Sequence, residues 1–236
     1  MSSTLSIDAA GGRLAGRLHQ PADEPHAAVV IAHGLFSSMA SEKLTALAEA
    51  LAQAGYAALQ YDAMGCGDTP GDVGQTTLTG RRDELLAAAA WLRREWPETP
   101  LVYLGSSLGG TAALLAADQQ PPAATVAWST PTDLEALYHK LQNNPDRPEL
   151  PALARDIVRY DLGAVLARAR RVLFVHGRQD EVVPVQQAQH GYRLAGEPKD
   201  LLLLPGGDHR LTSRELQRQA TEQSLAWIQG MIAGDH

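Results

Sequence analysis

Short, almost unbroken apolar runs alternate with longer amphipathic ones along this chain, and that alternation restricts the fold more than any single motif. Ala27 to Ala32 (AAVVIA), Tyr56 to Tyr61, Leu101 to Leu104, Ala124 to Trp128, Val172 to Val175 and Asp200 to Leu204 read as strands. Helical patterns follow most of them: Ser38 to Ala54, Thr79 to Trp96, Leu108 to Asp118, Val185 to Ala195 and Ser213 to Ile232. In the first of these, Leu44, Leu47, Ala48 and Leu51 fall on one helical face, and Gly55 is placed as the stop. A strand apolar at every position must be covered on both faces, which is the condition of a parallel sheet built from βα units. Only the start differs: Thr4 to Asp8 and Leu14 to His19, joined at Ala10-Gly11-Gly12, read as a hairpin. The expected class is therefore α/β, a mostly parallel sheet with helices on both faces.

The rhythm fails once, between Pro131 and about Tyr160, where NNPDRPELP (Asn143 to Pro151) separates two short helical runs. Because the βα pattern resumes afterwards, this stretch is expected to be a small helical cap inserted at about 131–160. A chain of 236 residues supports one well-buried core or two small domains. The expectation is one domain over 1–236.

In an open parallel sheet, ligands collect beyond the carboxyl ends of the strands. Residues able to do chemistry stand at those ends: His33-Gly34-Leu35-Phe36, Asp62-Ala63-Met64-Gly65-Cys66-Gly67-Asp68, Gly105-Ser106-Ser107-Leu108-Gly109-Gly110, His176-Gly177-Arg178-Gln179-Asp180 and Gly206-Gly207-Asp208-His209. Gly105 to Gly109 is G-x-S-x-G at a strand-to-helix junction, a turn sharp enough to lift the Ser107 hydroxyl above the sheet. A serine hydroxyl is a weak nucleophile until an imidazole takes its proton, and the imidazole needs an acid to hold its tautomer. His209 follows the last strand, Asp180 the strand before it, and the order Ser107, Asp180, His209 is that of nucleophile-elbow hydrolases. Asp208 and Asp68 are the competing acids. Asp208 is disfavoured because a residue adjacent to the histidine cannot usually reach its ring.

On these five loops the chain resembles the α/β hydrolases, and within them small serine carboxylesterases of the feruloyl-esterase-like and monoacylglycerol-lipase-like kind. The likeness runs from His33-Gly34 to His209. Cys66-Gly67-Asp68 departs from it, since relatives usually carry His-Gly-Ser there. The resemblance implies hydrolysis of carboxylic esters through an acyl-enzyme, with Ser107, Asp180 and His209 catalytic and no cofactor or metal. It also implies an oxyanion hole from the backbone amides of Leu108 and Leu35, with Phe36 as the alternative to Leu35. Thioester or amide cleavage, acyl transfer and C–C hydrolysis can use the same three residues, and a non-catalytic binding protein is the alternative from another class.

The cap residues Leu134, Leu137, Tyr138, Leu141, Leu150 and Leu153, with Phe36 and Trp128, are candidates to line a pocket for an apolar acyl or aryl group. His33 and His176 read as braces, Arg81-Arg82 and Arg168 to Arg171 as solvated faces or helix ends. A net charge of −7 without a basic block argues against nucleic acid and acidic membranes. One cysteine, Cys66, permits no internal disulfide or Cys-x-x-Cys site, and the other histidines lack ligand spacing. Met1 to Ala10 has no signal-peptide pattern, and no apolar stretch is long enough to span a bilayer. The expectation is a cytoplasmic enzyme for a small ester substrate, monomer or homodimer.

Overall fold

Within the strand Ala28–Ala32, Val29 and Ile31 pack into one cluster while Ala28, Val30 and Ala32 pack into another on the opposite side. Side chains alternate along a strand, so a run apolar at every position fills two cores at once. The computed structural model, which describes residues 2–143 and 150–234, builds its sheet on this rule. Eight strands run in chain order as β1 (Ser2–Ala9), β2 (Gly12–His19), β3 (Ala28–Ala32), β4 (Ala57–Tyr61), β5 (Leu101–Ser106), β6 (Ala124–Trp128), β7 (Val172–Gly177) and β8 (Lys199–Leu204). Their spatial order is β1-β2-β4-β3-β5-β6-β7-β8. The β1–β2 and β2–β4 pairs are antiparallel and all others parallel, as the hairpin and the βα rhythm predict.

The helices are α1 (Glu42–Gln53), α2 (Leu78–Glu95), α3 (Leu108–Gln119), α4 (Leu134–Gln142), α5 (Pro151–Ile157), α6 (Leu162–Arg168), α7 (Val185–Leu194) and α8 (Arg214–Ala233). Leu44, Leu47 and Leu51 of α1 meet Ala220 and Ile228 of α8 over one face of the sheet. Leu85, Ala88 and Leu92 of α2 pack on the other face with Ala113 and Ala116 of α3. The mostly parallel sheet is thus covered on both faces, the architecture expected.

Two local differences from the sequence reading have physical causes. Helix α1 begins at Glu42 instead of Ser38: Ser41 caps it with ψ 124°, outside the helical region, and the Met39 N–H before it bonds the Asp62 carboxylate at 2.7 Å. The segment Leu162–Arg168 is a helix that was not anticipated. Seven residues are too few to display a helical period, and its start is set by the Asp161 side chain accepting from the Ala164 N–H.

Helices α4 and α5 lie within the stretch expected to be inserted. Asp156 of α5 accepts hydrogen bonds from the backbone N–H and hydroxyl of Thr79, both at 2.8 Å, at the start of α2. The Tyr160 hydroxyl adds a 2.6 Å contact to the same threonine. Below α4, Thr132 is held by Gln187 of α7. No described helix is long and apolar enough to cross a membrane.

Candidate active site

Ser107 sits between β5 and α3 with φ 54° and ψ −126°, backbone that an L-residue adopts only under strain. The turn is possible because its neighbours are small. A Cβ at Gly109 would fall 2.3 Å from the Ala32 carbonyl oxygen, so only glycine lets α3 approach the end of β3 this closely. The Ser107 N–H is satisfied by the Trp128 carbonyl at 2.8 Å, and the Ser107 carbonyl accepts from Gly110 and Thr111. Leu108 is the first residue of α3, so its N–H lies outside the intrahelical ladder and at the positive end of the helix dipole.

His209, 102 positions later, places Nε2 3.2 Å from Ser107 Oγ. Its Nδ1 lies 2.9 Å from Asp180 Oδ2 and 3.1 Å from Oδ1. The three residues thus meet as one hydrogen-bonded chain. The Asp180 side chain is fully buried. Its Oδ1 also accepts from the N–H groups of Val182 and Val183 at 2.9 and 2.7 Å, and His176 Nε2 lies 3.2 Å from Oδ2. Burial pushes the carboxyl upward, but the hydrogen bonds from His176, His209 and Val183 outweigh it and hold Asp180 well below the usual carboxylate range. The competing acid Asp208 is engaged elsewhere, bonding the Thr212 N–H and hydroxyl. The Asp68 N–H donates to Asp62, a turn-closing contact.

The loop after β3 lies directly over the serine. A Cβ on Gly34 would be 3.0 Å from Ser107 Cβ and 3.6 Å from Oγ. His33 is wholly buried and accepts at Nε2 from the Ala63 N–H at 3.0 Å. Its proton therefore resides on Nδ1, which donates to the Gly34 carbonyl at 2.7 Å. Burial, reinforced by the nearby Arg81 charge, lowers its pKa to about 3 and keeps the ring neutral. Leu35 is half-buried and Phe36, at φ 55°, is 43% exposed.

The pocket candidates divide. Leu134 is buried, and Leu137 and Tyr138 are half-buried against the same apolar cluster as Leu35. The Leu141 side chain lies outside the described residues. Leu150 and Leu153 are buried in that cluster as well. Trp128 is not a pocket wall: it is 0% exposed, packs among the α1 and α8 side chains, and donates its indole N–H to Ser224 of α8 at 3.0 Å. It shares a face of β6 with Ala124 and Val126, so its ring enters the core beneath α1 and α8.

Three residues near this centre were not assigned a place in it from sequence. His176, read as a brace, contacts Asp180 as well as the Val183 carbonyl. Lys43, on α1, is lowered to about 8 by burial, with Asp180 and Asp208 opposing the shift. Arg81, expected on a solvated face, is 2% exposed and donates to the His33 carbonyl. Nothing in a one-turn pattern distinguishes its inward position from that of Arg82 beside it. Cys66 is buried, which raises its thiol pKa, with Arg81 pulling the other way. Among the described residues, no group of three or more His, Cys, Asp or Glu side chains could hold a metal ion.

Comparison with known proteins supplies the lineage. The chain is 26% identical over 211 residues to the mitochondrial palmitoyl-protein thioesterase ABHD10 of Mus musculus, covering 79% of this chain and 70% of that protein. It is 29% identical over 159 residues to YfhR of Salmonella typhimurium, covering 63% of this chain and 53% of YfhR. It thus spans just over half the length of that relative. Among solved structures, Est1E from Butyrivibrio proteoclasticus with bound ferulic acid superposes with a TM-score of 0.85 at 22% identity, over 97% of this chain and 99% of that one. The family model of the serine aminopeptidases, S33 (Hydrolase_4), matches residues 23–146, more than half of the chain. By that match and by its fold, the chain belongs to the S33 serine aminopeptidase family of α/β hydrolases.

Proposed function

We propose that this hydrolase cleaves carboxylic esters through an acyl-enzyme, with Ser107 as nucleophile. The observation that carries the reading is the 3.2 Å approach of His209 Nε2 to Ser107 Oγ, on an imidazole whose other nitrogen is bound to buried Asp180. Ser107 attacks the acyl carbon and passes its proton to His209, while Asp180 holds the Nδ1–H tautomer and balances the imidazolium. The N–H groups of Leu108 and Leu35 receive the oxygen of the tetrahedral intermediate. His209 then protonates the departing alcohol, activates a water, and the acid is released as Ser107 regains its proton.

The segment at 131–160 acts as a cap on a single domain, and Leu134, Leu137, Tyr138 and Phe36 present an apolar wall to an acyl or aryl group. Thioesters are the second reading, favoured by the likeness to ABHD10. Steady-state rates on p-nitrophenyl esters from acetate to palmitate, aryl esters and acyl thioesters decide between them. The proposal expects ester kcat/KM to exceed that for the matched thioester. The reverse order assigns the site to thioesters, and no turnover on either class contradicts the proposal.

A further inference from the structure

Arg81 occupies an inward position of α2, one turn after its Thr77 cap and on the same buried side as Leu78 and Leu85. A leucine or methionine would fill that place without the cost of burying a guanidinium. The arginine is also incompletely satisfied: among the described residues, Nε and Nη1 have no hydrogen-bond partner, and neither do the neighbouring Glu84 Oε2 and Tyr61 hydroxyl. Packing and stability alone do not account for such a residue. Glu84 and Cys66 also face the guanidinium, but its bond to the main chain is the one that bears on the site. Its Nη2 donates to the His33 carbonyl and lies 3.4 Å from His33 Nδ1.

His33 in turn controls one particular peptide. The Gly34 carbonyl, which accepts from His33 Nδ1, and the Leu35 N–H belong to the same trans peptide group. In a planar trans amide the N–H points opposite to the C=O. Holding the carbonyl on the His33 side therefore turns the Leu35 N–H toward the opposite side. A side chain on Gly34 would touch Ser107, so this peptide lies beside the nucleophile. The ring is gripped by the Ala63 N–H at Nε2, and its main chain is gripped by Arg81.

We propose that Arg81 is a positioning residue for the hydrolytic step: by clamping the His33 carbonyl from within the core, it sets the orientation of the Gly34–Leu35 peptide and hence of the Leu35 oxyanion donor. This rests on the serine hydrolase reading above. A donor that serves mainly the tetrahedral oxygen affects kcat more than substrate binding. The geometry also suggests a direct rescue. A cavity of about 240 Å³ is lined by Arg81 together with Met64, Thr76, Gly80 and Glu84, so truncating Arg81 joins its volume to space already present.

The test compares the full chain with Arg81→Met, which keeps the apolar stem, and Arg81→Ala, which removes it. Each is measured for folding by circular dichroism and for steady-state hydrolysis of a p-nitrophenyl ester. Guanidinium chloride is added below denaturing concentration, against sodium chloride at equal ionic strength. The expected result is a folded Arg81→Met with kcat about 10- to 100-fold lower and KM within about two-fold. Guanidinium should raise kcat several-fold in Arg81→Ala and leave wild type and Arg81→Met unchanged. A folded Arg81→Met with wild-type kcat, a loss confined to KM, or a folded Arg81→Ala deaf to guanidinium overturns the assignment. Failure of both variants to fold makes Arg81 structural and also rejects it. If the wild-type chain hydrolyses no ester and Ser107 is not labelled by a fluorophosphonate, the hydrolase reading itself has failed. If wild type does both and Arg81→Met equals it, only the role of Arg81 falls.

Discussion

Gly105 and Gly109 face each other across the Ser107 turn so closely that a methyl group on Gly105 would lie 2.1 Å from the Gly109 carbonyl oxygen. The obstacle is backbone, which cannot swing aside. Gly105→Ala is therefore expected to cost about 1–3 kcal/mol of stability and to displace the serine. Gly230, exposed in α8 with open space around it, gives the opposite sign. Gly230→Ala should stabilise by roughly 0.5–1 kcal/mol. Urea unfolding of both variants checks the pair. Equal effects would show that the elbow is not sterically constrained.

Asp156 ties α5 to the start of α2 by accepting two hydrogen bonds from Thr79, whose N–H has no partner within the helix. Asp156→Ala should lower stability by about 1–2 kcal/mol. Proteolysis should then cut near α5 sooner than in the wild type. An unchanged unfolding midpoint and cleavage pattern would show that Asp156 does not hold α5 in place.

Asp180 and His176 are expected to differ greatly in weight. Asp180→Asn frees His209 to take the wrong tautomer, and kcat should fall by about 10⁴. His176→Leu removes one of several donors to a carboxylate that keeps Val182, Val183 and His209. Its loss should be on the order of ten-fold, without a comparable change in KM. Comparable losses in both variants would mean that His176 is doing more than bracing Asp180.

Stability should fall on acidification, and the sign follows from His33. Its folded pKa of about 3 lies below the unfolded value of 6.5, so an unfolded chain takes up a proton that the folded chain refuses. The contribution is complete above pH 6.5 and is lost progressively as the pH drops toward 3, at up to about 1.4 kcal/mol per unit. Asp180, held low in the folded state, adds to the loss below about pH 4. Glu84, raised by burial, opposes it just above its ordinary value of 4.5. Denaturation from pH 7 to 4 measures the slope, and His33→Asn should reduce it between pH 6.5 and 5, leaving the part that His19, also lowered by burial, contributes. A wild-type profile already flat in that window contradicts a buried, neutral His33.

What could be read from sequence and what could not divide along a physical line. Ser107, Asp180 and His209 follow strands, and the carboxyl ends of parallel strands line one edge of the sheet, so their meeting could be anticipated from order alone. The two-faced core was readable because β3 to β7 are mostly apolar, with few polar residues to mark an exposed face. Arg81 and Asp156 owe their contacts to elements brought together only by folding. Arg81 and His33 are 48 positions apart, and Thr79 and Asp156 77 apart. Their residue types are common on solvated surfaces, so nothing local marks them as interior. Trp128 fell on the wrong side for a related reason. In a strand buried on both faces, the sequence does not show which face each residue takes, and in the fold the indole points to Ser224 on α8.

The central claim is that Ser107 is a nucleophile activated by His209. Intact-mass and peptide mass spectrometry after exposure to a fluorophosphonate tests it most directly. The account predicts one adduct per wild-type chain, on Ser107, none on folded Ser107→Ala, and labelling slowed at least 100-fold in His209→Ala. An adduct elsewhere, an unlabelled wild-type chain, or ester hydrolysis that survives Ser107→Ala would contradict it.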